Sequence, residues 1–189
     1  PPRSTLFPYT TLFRSQLENI AKDIIELGIN EIHISGGEPF LHRDLLNFIK
    51  LIRNQGKVII YTSGNMLHNQ ERIAISVDKF TEIKADGVSL VRFNLPSHLE
   101  GINNLLTSTN SYQNTIKSIK NAQIVTLTTE IHLIPNQKNI VELEATIDFL
   151  KALHVNKVKF LRYLASGRGG ANIHELDIRT NSNVIPLFK

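Results

Sequence analysis

The sequence predicts an α/β fold, a parallel sheet covered by helices that forms part of a barrel, and three observations carry that expectation. Strand-like runs alternate with helix-like ones, so successive strands cannot pair as hairpins and need parallel neighbours joined by right-handed crossovers. The region with this regular pattern, residues 16–170, is shorter than the roughly 250 residues of a closed eight-fold barrel. Hydrophobic residues make up 41% of the 189-residue chain and charged ones 20%, the composition of one globular domain with a buried core.

The elements follow in order. Leu17, Ile20, Ala21, Ile24 and Ile25 recur with helical spacing, with Ser15 and Glu18 spaced as a capping box and Gly28 placed to stop the helix. Glu31 to Ser35 reads as a short strand ending in Gly36-Gly37. A second helical face, Leu41, Leu45, Phe48, Ile49 and Ile52, closes at Gly56, and the β-branched and aromatic run Lys57 to Ser63 is the next strand. The expected continuation is a helix around His68 to Phe80, a strand at Gly87 to Asn94, and a helix from Asn110 bearing Tyr112, Ile116 and Ile119. A strand at Gln123 to Ile134, a helix started by Asn139 with Glu142 three residues on, and a strand at Lys157 to Tyr163 complete five strands. Residues 1–15 repeat Thr-Leu-Phe without any period and resemble translated sequencing adapter, so they are set apart as a non-native segment, with the protein's own N-terminus expected to be missing. Residues 171–189 are expected to be a tail or a last element cut short.

Bulk chemistry narrows the function classes. The chain has no cysteine, which excludes disulfides, thiolate catalysis and a cysteine-ligated cluster held by these residues. The net charge of +4 comes from 21 basic residues spread along the chain without a run, so no nucleic-acid partner is expected. No apolar stretch reaches the roughly 18–20 residues of a membrane span, and no signal peptide leads the chain; the expectation is a cytoplasmic protein without a membrane partner. The seven histidines, at 33, 42, 68, 98, 132, 154 and 174, show no metal-binding spacing and are assigned structural roles. His33 and His132 share a Glu-Ile-His context and alternate with apolar neighbours, which would let either approach a barrel centre.

The sharpest motif is Ser35-Gly36-Gly37-Glu38-Pro39-Phe40, at the C-terminal end of the first strand, the edge at which parallel α/β folds bind ligands. The glycines let backbone approach a ligand, Glu38 supplies an acceptor suited to an ammonium group, and Pro39 stiffens the exit. A tight turn with a solvated glutamate is the alternative for the bare tetrapeptide.

Ile-Ser-Gly-Gly-Glu-Pro-Phe-Leu-His-Arg-Asp-Leu resembles the GGEP segment of radical S-adenosylmethionine (SAM) enzymes, which grips the amino group of SAM's methionine moiety. Tyr61-Thr62-Ser63-Gly64-Asn65 is similar to that family's TNG turn. Val91-Arg92-Phe93-Asn94-Leu95 falls on a strand whose end contacts SAM, although Pro96 stands where the family has an aspartate. Phe160-Leu161-Arg162-Tyr163 and Gly167-Arg168-Gly169 resemble its later arginine strand and loop. The resemblance implies a partial (βα)6-type barrel whose first strand and CxxxCxxC loop are missing. It implies SAM contacts at Gly36, Gly37, Glu38, Pro39, Ser63, Asn94 and Arg162, with no catalytic or metal-ligating residue in this chain. In intact form such a protein would use SAM and a [4Fe-4S] cluster to make a 5′-deoxyadenosyl radical and abstract hydrogen from an unknown substrate, a small molecule or a peptide. Its electron donor would be a ferredoxin or flavodoxin. Two other readings remain open: a cluster-free SAM- or metabolite-binding module, and a lyase in which Glu38 is an acid or base and Arg162 its charged companion.

Overall fold

The computed structural model describes residues 12–163 and residues 176 and 177. Among the described residues, the α-helices and strands run in the order α1 (Arg14–Glu26), β1 (Glu31–Ile34), α2 (Leu45–Ile52), β2 (Lys57–Thr62), β3 (Asn65–His68), β4 (Glu71–Ala74), α3 (Val77–Ala85), β5 (Val88–Asn94), α4 (Glu100–Thr107), α5 (Tyr112–Ile124), β6 (Thr128–Leu133), α6 (Leu143–Ala152) and β7 (Lys157–Phe160). A single 3-10 turn, Pro39–Leu41, precedes α2.

Five strands form one sheet in the order β1-β2-β5-β6-β7, every neighbouring pair parallel. Each new strand joins the same edge, so right-handed crossovers put every connecting helix on the same side. This distinguishes a barrel-like winding from a doubly wound sheet, which reverses direction at its centre. The side chains agree: Ile32, Val58, Ile60, Val91, Phe93 and Ile131 pack with helix residues Ile49, Ile52, Phe80, Ile83, Ile119 and Leu150 in one apolar core. The alternate positions of the strands therefore face away from the helices, and no described helix covers them. Membership of all five expected strands in one parallel sheet bears out the partial α/β barrel.

Several boundaries differ from expectation. α1 starts at Arg14, and its first turn is closed by Gln16, whose Oε1 accepts the Phe13 N–H at 2.7 Å; the Ser15/Glu18 capping box does not form. The helix expected around His68 to Phe80 is instead the antiparallel hairpin β3–β4 followed by α3, whose N-cap Ser76 accepts the Lys79 N–H. The hairpin turns on Asn69 and Gln70, both at positive φ (48° and 68°), the two-residue geometry that matches strand twist. α4 was not expected, and α5 continues to Ile124, so β6 begins at Thr128. Asn139 does not start a helix: its amide donates to the carbonyls of Pro96 (2.9 Å) and Ile134 (3.1 Å), tying the loop after β6 to that after β5, and α6 begins at Leu143. Among the described residues no helix is long and apolar enough to cross a membrane.

Candidate functional site at the C-terminal edge of the sheet

The GGEP turn leaves β1 at the edge where the turn after β2 also ends, and Glu38 joins the two. Its Oε1 accepts the Thr62 hydroxyl at 2.7 Å and the Phe40 N–H at 3.2 Å, while its Oε2 accepts the Ser63 N–H at 2.6 Å and the Ser63 hydroxyl. A carboxylate offers about four acceptor positions, so protein groups occupy them all. Burial raises the Glu38 pKa, and these hydrogen bonds pull against that rise. Glu38 is thus a half-buried bracket holding two turns in register, and a role as general acid or base would require breaking it.

Ser63 is fixed from every side. Its hydroxyl accepts from the Asn65 amide at 3.1 Å, and its carbonyl accepts from Thr115 of α5 at 2.7 Å. Gly64 makes that seating possible: it sits at φ 82°, and a Cβ there would lie 2.8 Å from the Thr115 Cα. Ser118 Oγ donates to the Gly64 carbonyl at 2.7 Å and accepts the Ile75 N–H at 2.8 Å, which also docks the chain after the hairpin.

Gly36 and Gly37 are exposed, and a Cβ built on either would meet nothing within 4 Å. Open space therefore lies directly over this backbone. Pro39 is buried as the first residue of the 3-10 turn. Asn94 ends β5 beside Ser63, since Thr62 pairs with Phe93, and it is exposed. The structure thus brings Gly36, Gly37, Glu38, Pro39, Ser63 and Asn94 to one edge. Arg162 is exposed just beyond β7, three strands from β2, roughly 14 Å along the sheet at about 4.8 Å per strand. The Gly167-Arg168-Gly169 segment lies outside the described residues.

Sequence reasoning passed over two parts of this region. Thr62 holds Glu38 and was read only as part of a turn. The helix-free face also carries Tyr61, Arg92, Glu130 and Lys159 alongside His33 and His132; the duplicated Glu-Ile-His was its one visible signal. Among the described residues no group of three or more His, Cys, Asp or Glu side chains is placed to hold a metal ion.

Comparison with known proteins adds to the geometry. The sequence model of the Radical SAM superfamily matches residues 4–150. The GTP 3',8-cyclase of Peptoclostridium acidaminophilum is 28% identical over 116 residues, 60% of this chain and 33% of that protein. Fe-coproporphyrin III synthase of Methanosarcina barkeri is 21% identical over 168 residues, 88% of this chain and 40% of that protein. Among solved structures, native anSMEcpe with bound AdoMet superposes with a TM-score of 0.70 at 14% identity, covering 86% of this chain and 46% of the other. Coproporphyrinogen III oxidase from Escherichia coli, described as a radical SAM enzyme, gives 0.62 at 14% identity, covering 85% and 39%. The chain spans between about a third and a half of the length of the curated relatives it matches.

Proposed function

The chain belongs to the Radical SAM superfamily, and from that premise we propose that it is the SAM-binding core of an enzyme that generates a radical to abstract hydrogen from its substrate. The observation that carries this reading is the pair of unobstructed glycines at the C-terminal edge, held in place by the Glu38 bracket. Their exposed backbone would receive the methionine end of SAM, with Glu38 and Ser63 acting through the shape they impose and Asn94 lying beside them. Arg162 would reach the cofactor only across the mouth of the curved sheet.

In the family a [4Fe-4S] cluster delivers the electron that cleaves SAM, which in turn implies an external reductant. The open glycine backbone at this edge supports its reading as a SAM site, whereas the cluster's thiolate ligands are not among these 189 residues. No part of the electron transfer is assigned to this chain's residues. The cysteine-free composition favours, as a second reading, a SAM- or metabolite-binding unit that works without a cluster. The matched relatives carry names as different as GTP 3',8-cyclase and Fe-coproporphyrin III synthase, so neither substrate is transferred.

Calorimetric titration of the chain with SAM tests the proposal. Saturable binding is expected, and Gly37→Val should abolish it with little change in melting temperature, because the side chain starts from a Cβ that meets no protein atom within 4 Å. Equal affinities for the two proteins would reduce the GGEP segment to a structural turn.

A further inference from the structure

The helix-free face of the sheet holds a continuous polar array. His33, Tyr61, His132 and Lys159 are each the penultimate residue of their strands β1, β2, β6 and β7, and Arg92 lies two residues from the end of β5. One layer deeper the same face turns apolar at Ile59 and Leu90. Polar groups therefore line the part of this face nearest the C-terminal edge, with Ile59 and Leu90 below them at its centre and Thr128 beside Leu90, which suits a ligand site better than an apolar barrel core.

Three donors converge on one oxygen. Glu130 Oε1 lies 3.0 Å from His132 Nε2, 3.1 Å from Arg92 Nε and 3.3 Å from Lys159 Nζ. Glu130 and Arg92 are 2% and 7% exposed, yet the Arg92 Nε–H is not aimed well enough at the carboxylate to make a hydrogen bond. A second guanidinium nitrogen, Nη1, donates to the Tyr61 hydroxyl, which also bonds His33 Nδ1 at 2.9 Å. Arg92 and Lys159 share Glu130, and the other carboxylate within electrostatic reach of Arg92, Glu31, already pairs with Lys57 and His33, so one positive charge is left over beside a buried, imperfectly satisfied guanidinium. A structural ion pair would balance its charges, because an uncompensated buried cation is costly. Burial also lowers the His132 pKa, against the pull of Glu130, so the neutral histidine gives its one N–H to Glu130 and adds no charge to the array.

We infer that this face is an anion site, binding a phosphate or carboxylate group through Lys159 and Arg92, with Glu130 holding both cations in position and His132 beside them. As the seat of the substrate's anionic group it rests on the radical reading above; as an anion site it does not, and its test needs neither SAM nor a cluster.

The full chain is titrated calorimetrically with pyrophosphate and, separately, with succinate, each at constant ionic strength. At least one should bind saturably, and which one binds distinguishes a phosphate from a carboxylate ligand. Lys159→Ala should weaken that binding about ten-fold, the loss of one charge-assisted hydrogen bond. Lys151→Ala, which removes a lysine paired with Asp148 on α6, should leave it unchanged. In the unaltered protein the His132 ring resonances should shift during the same titration, a readout that does not depend on any variant folding. Failure of both anions to saturate, equal behaviour of the two lysine variants, or an unmoved His132 would each overturn the site. Retained SAM binding in that event would leave the proposed function standing.

Discussion

Single residues decide what the edge can do. Glu38 was legible in the sequence as an acid beside two glycines, but not that Thr62 and Ser63 consume its acceptors, because that depends on where β2 ends relative to β1. The same limit applies to His132, whose position on the helix-free face followed from alternation but whose environment combines Glu130 of its own strand with the Tyr61 ring of β2. Its environment has a measurable consequence. Burial holds the folded His132 pKa below the ordinary 6.5, so as pH falls below that value the unfolded chain takes up a proton before the folded one does. Stability is therefore lost from about pH 6.5 down through the folded value. Glu130 has the opposite balance: burial pushes its carboxyl up, but His132, Arg92 and Lys159 together hold it below the ordinary 4.5. Its contribution is complete at neutral pH and is lost only in stronger acid. Urea unfolding midpoints measured between pH 7 and pH 5 should fall for the unaltered protein and fall less for His132→Gln, which keeps a donor for Glu130. Identical declines would show that His132 titrates alike in both states.

At the scale of elements, the helices and strands with strong periods were read correctly because their apolar faces are wide: Leu45, Phe48, Ile49 and Ile52 of α2 are all buried. The faces were not uniform, and Ile20 and Ile25 of α1, counted in its apolar stripe, remain 37% and 46% exposed. The hairpin was misread for a physical reason. Asn69-Gln70 lacks the glycine that usually marks a two-residue turn, and Ile73 and Phe80, seven residues apart, imitate a helical spacing although the end of β4 and the N-cap Ser76 separate them. Gln70 consequently sits at φ 68° with a side chain that disfavours it. Gln70→Gly should relieve that strain by about 1–2 kcal/mol per left-handed residue, offset by about 0.4–1 kcal/mol of added freedom in the unfolded chain. A net gain of up to about 1.6 kcal/mol, centred on about 0.8 kcal/mol, is expected in denaturant unfolding from the difference of those two ranges. A loss of stability would mean that the Gln70 side chain contributes to the fold in a way the turn geometry does not capture.

At the scale of the whole molecule, the order β1-β2-β5-β6-β7 sends the described connecting helices to one side and leaves the part of the other face nearest the C-terminal edge to polar side chains. This separation of a packing face from a binding face is what lets a chain of ordinary composition carry Arg92 and Glu130 almost fully buried without unfolding. The same view shows what the chain lacks. Iron–sulfur clusters are held by cysteine thiolates, and even the centres that use histidine replace only two of four. None of these 189 residues is a cysteine, and the histidines of the helix-free face, His33 and His132, are engaged with Glu31 at 2.7 Å and Glu130 at 3.0 Å. Incubated with iron, sulfide and reductant, this polypeptide should therefore develop no stable charge-transfer absorbance near 400 nm and no cluster signal in electron paramagnetic resonance, while still binding SAM. A stoichiometric cluster signal would mean that ligands other than thiolates assemble on this sheet, and the helix-free face would then have to be reassigned from anion binding to metal binding.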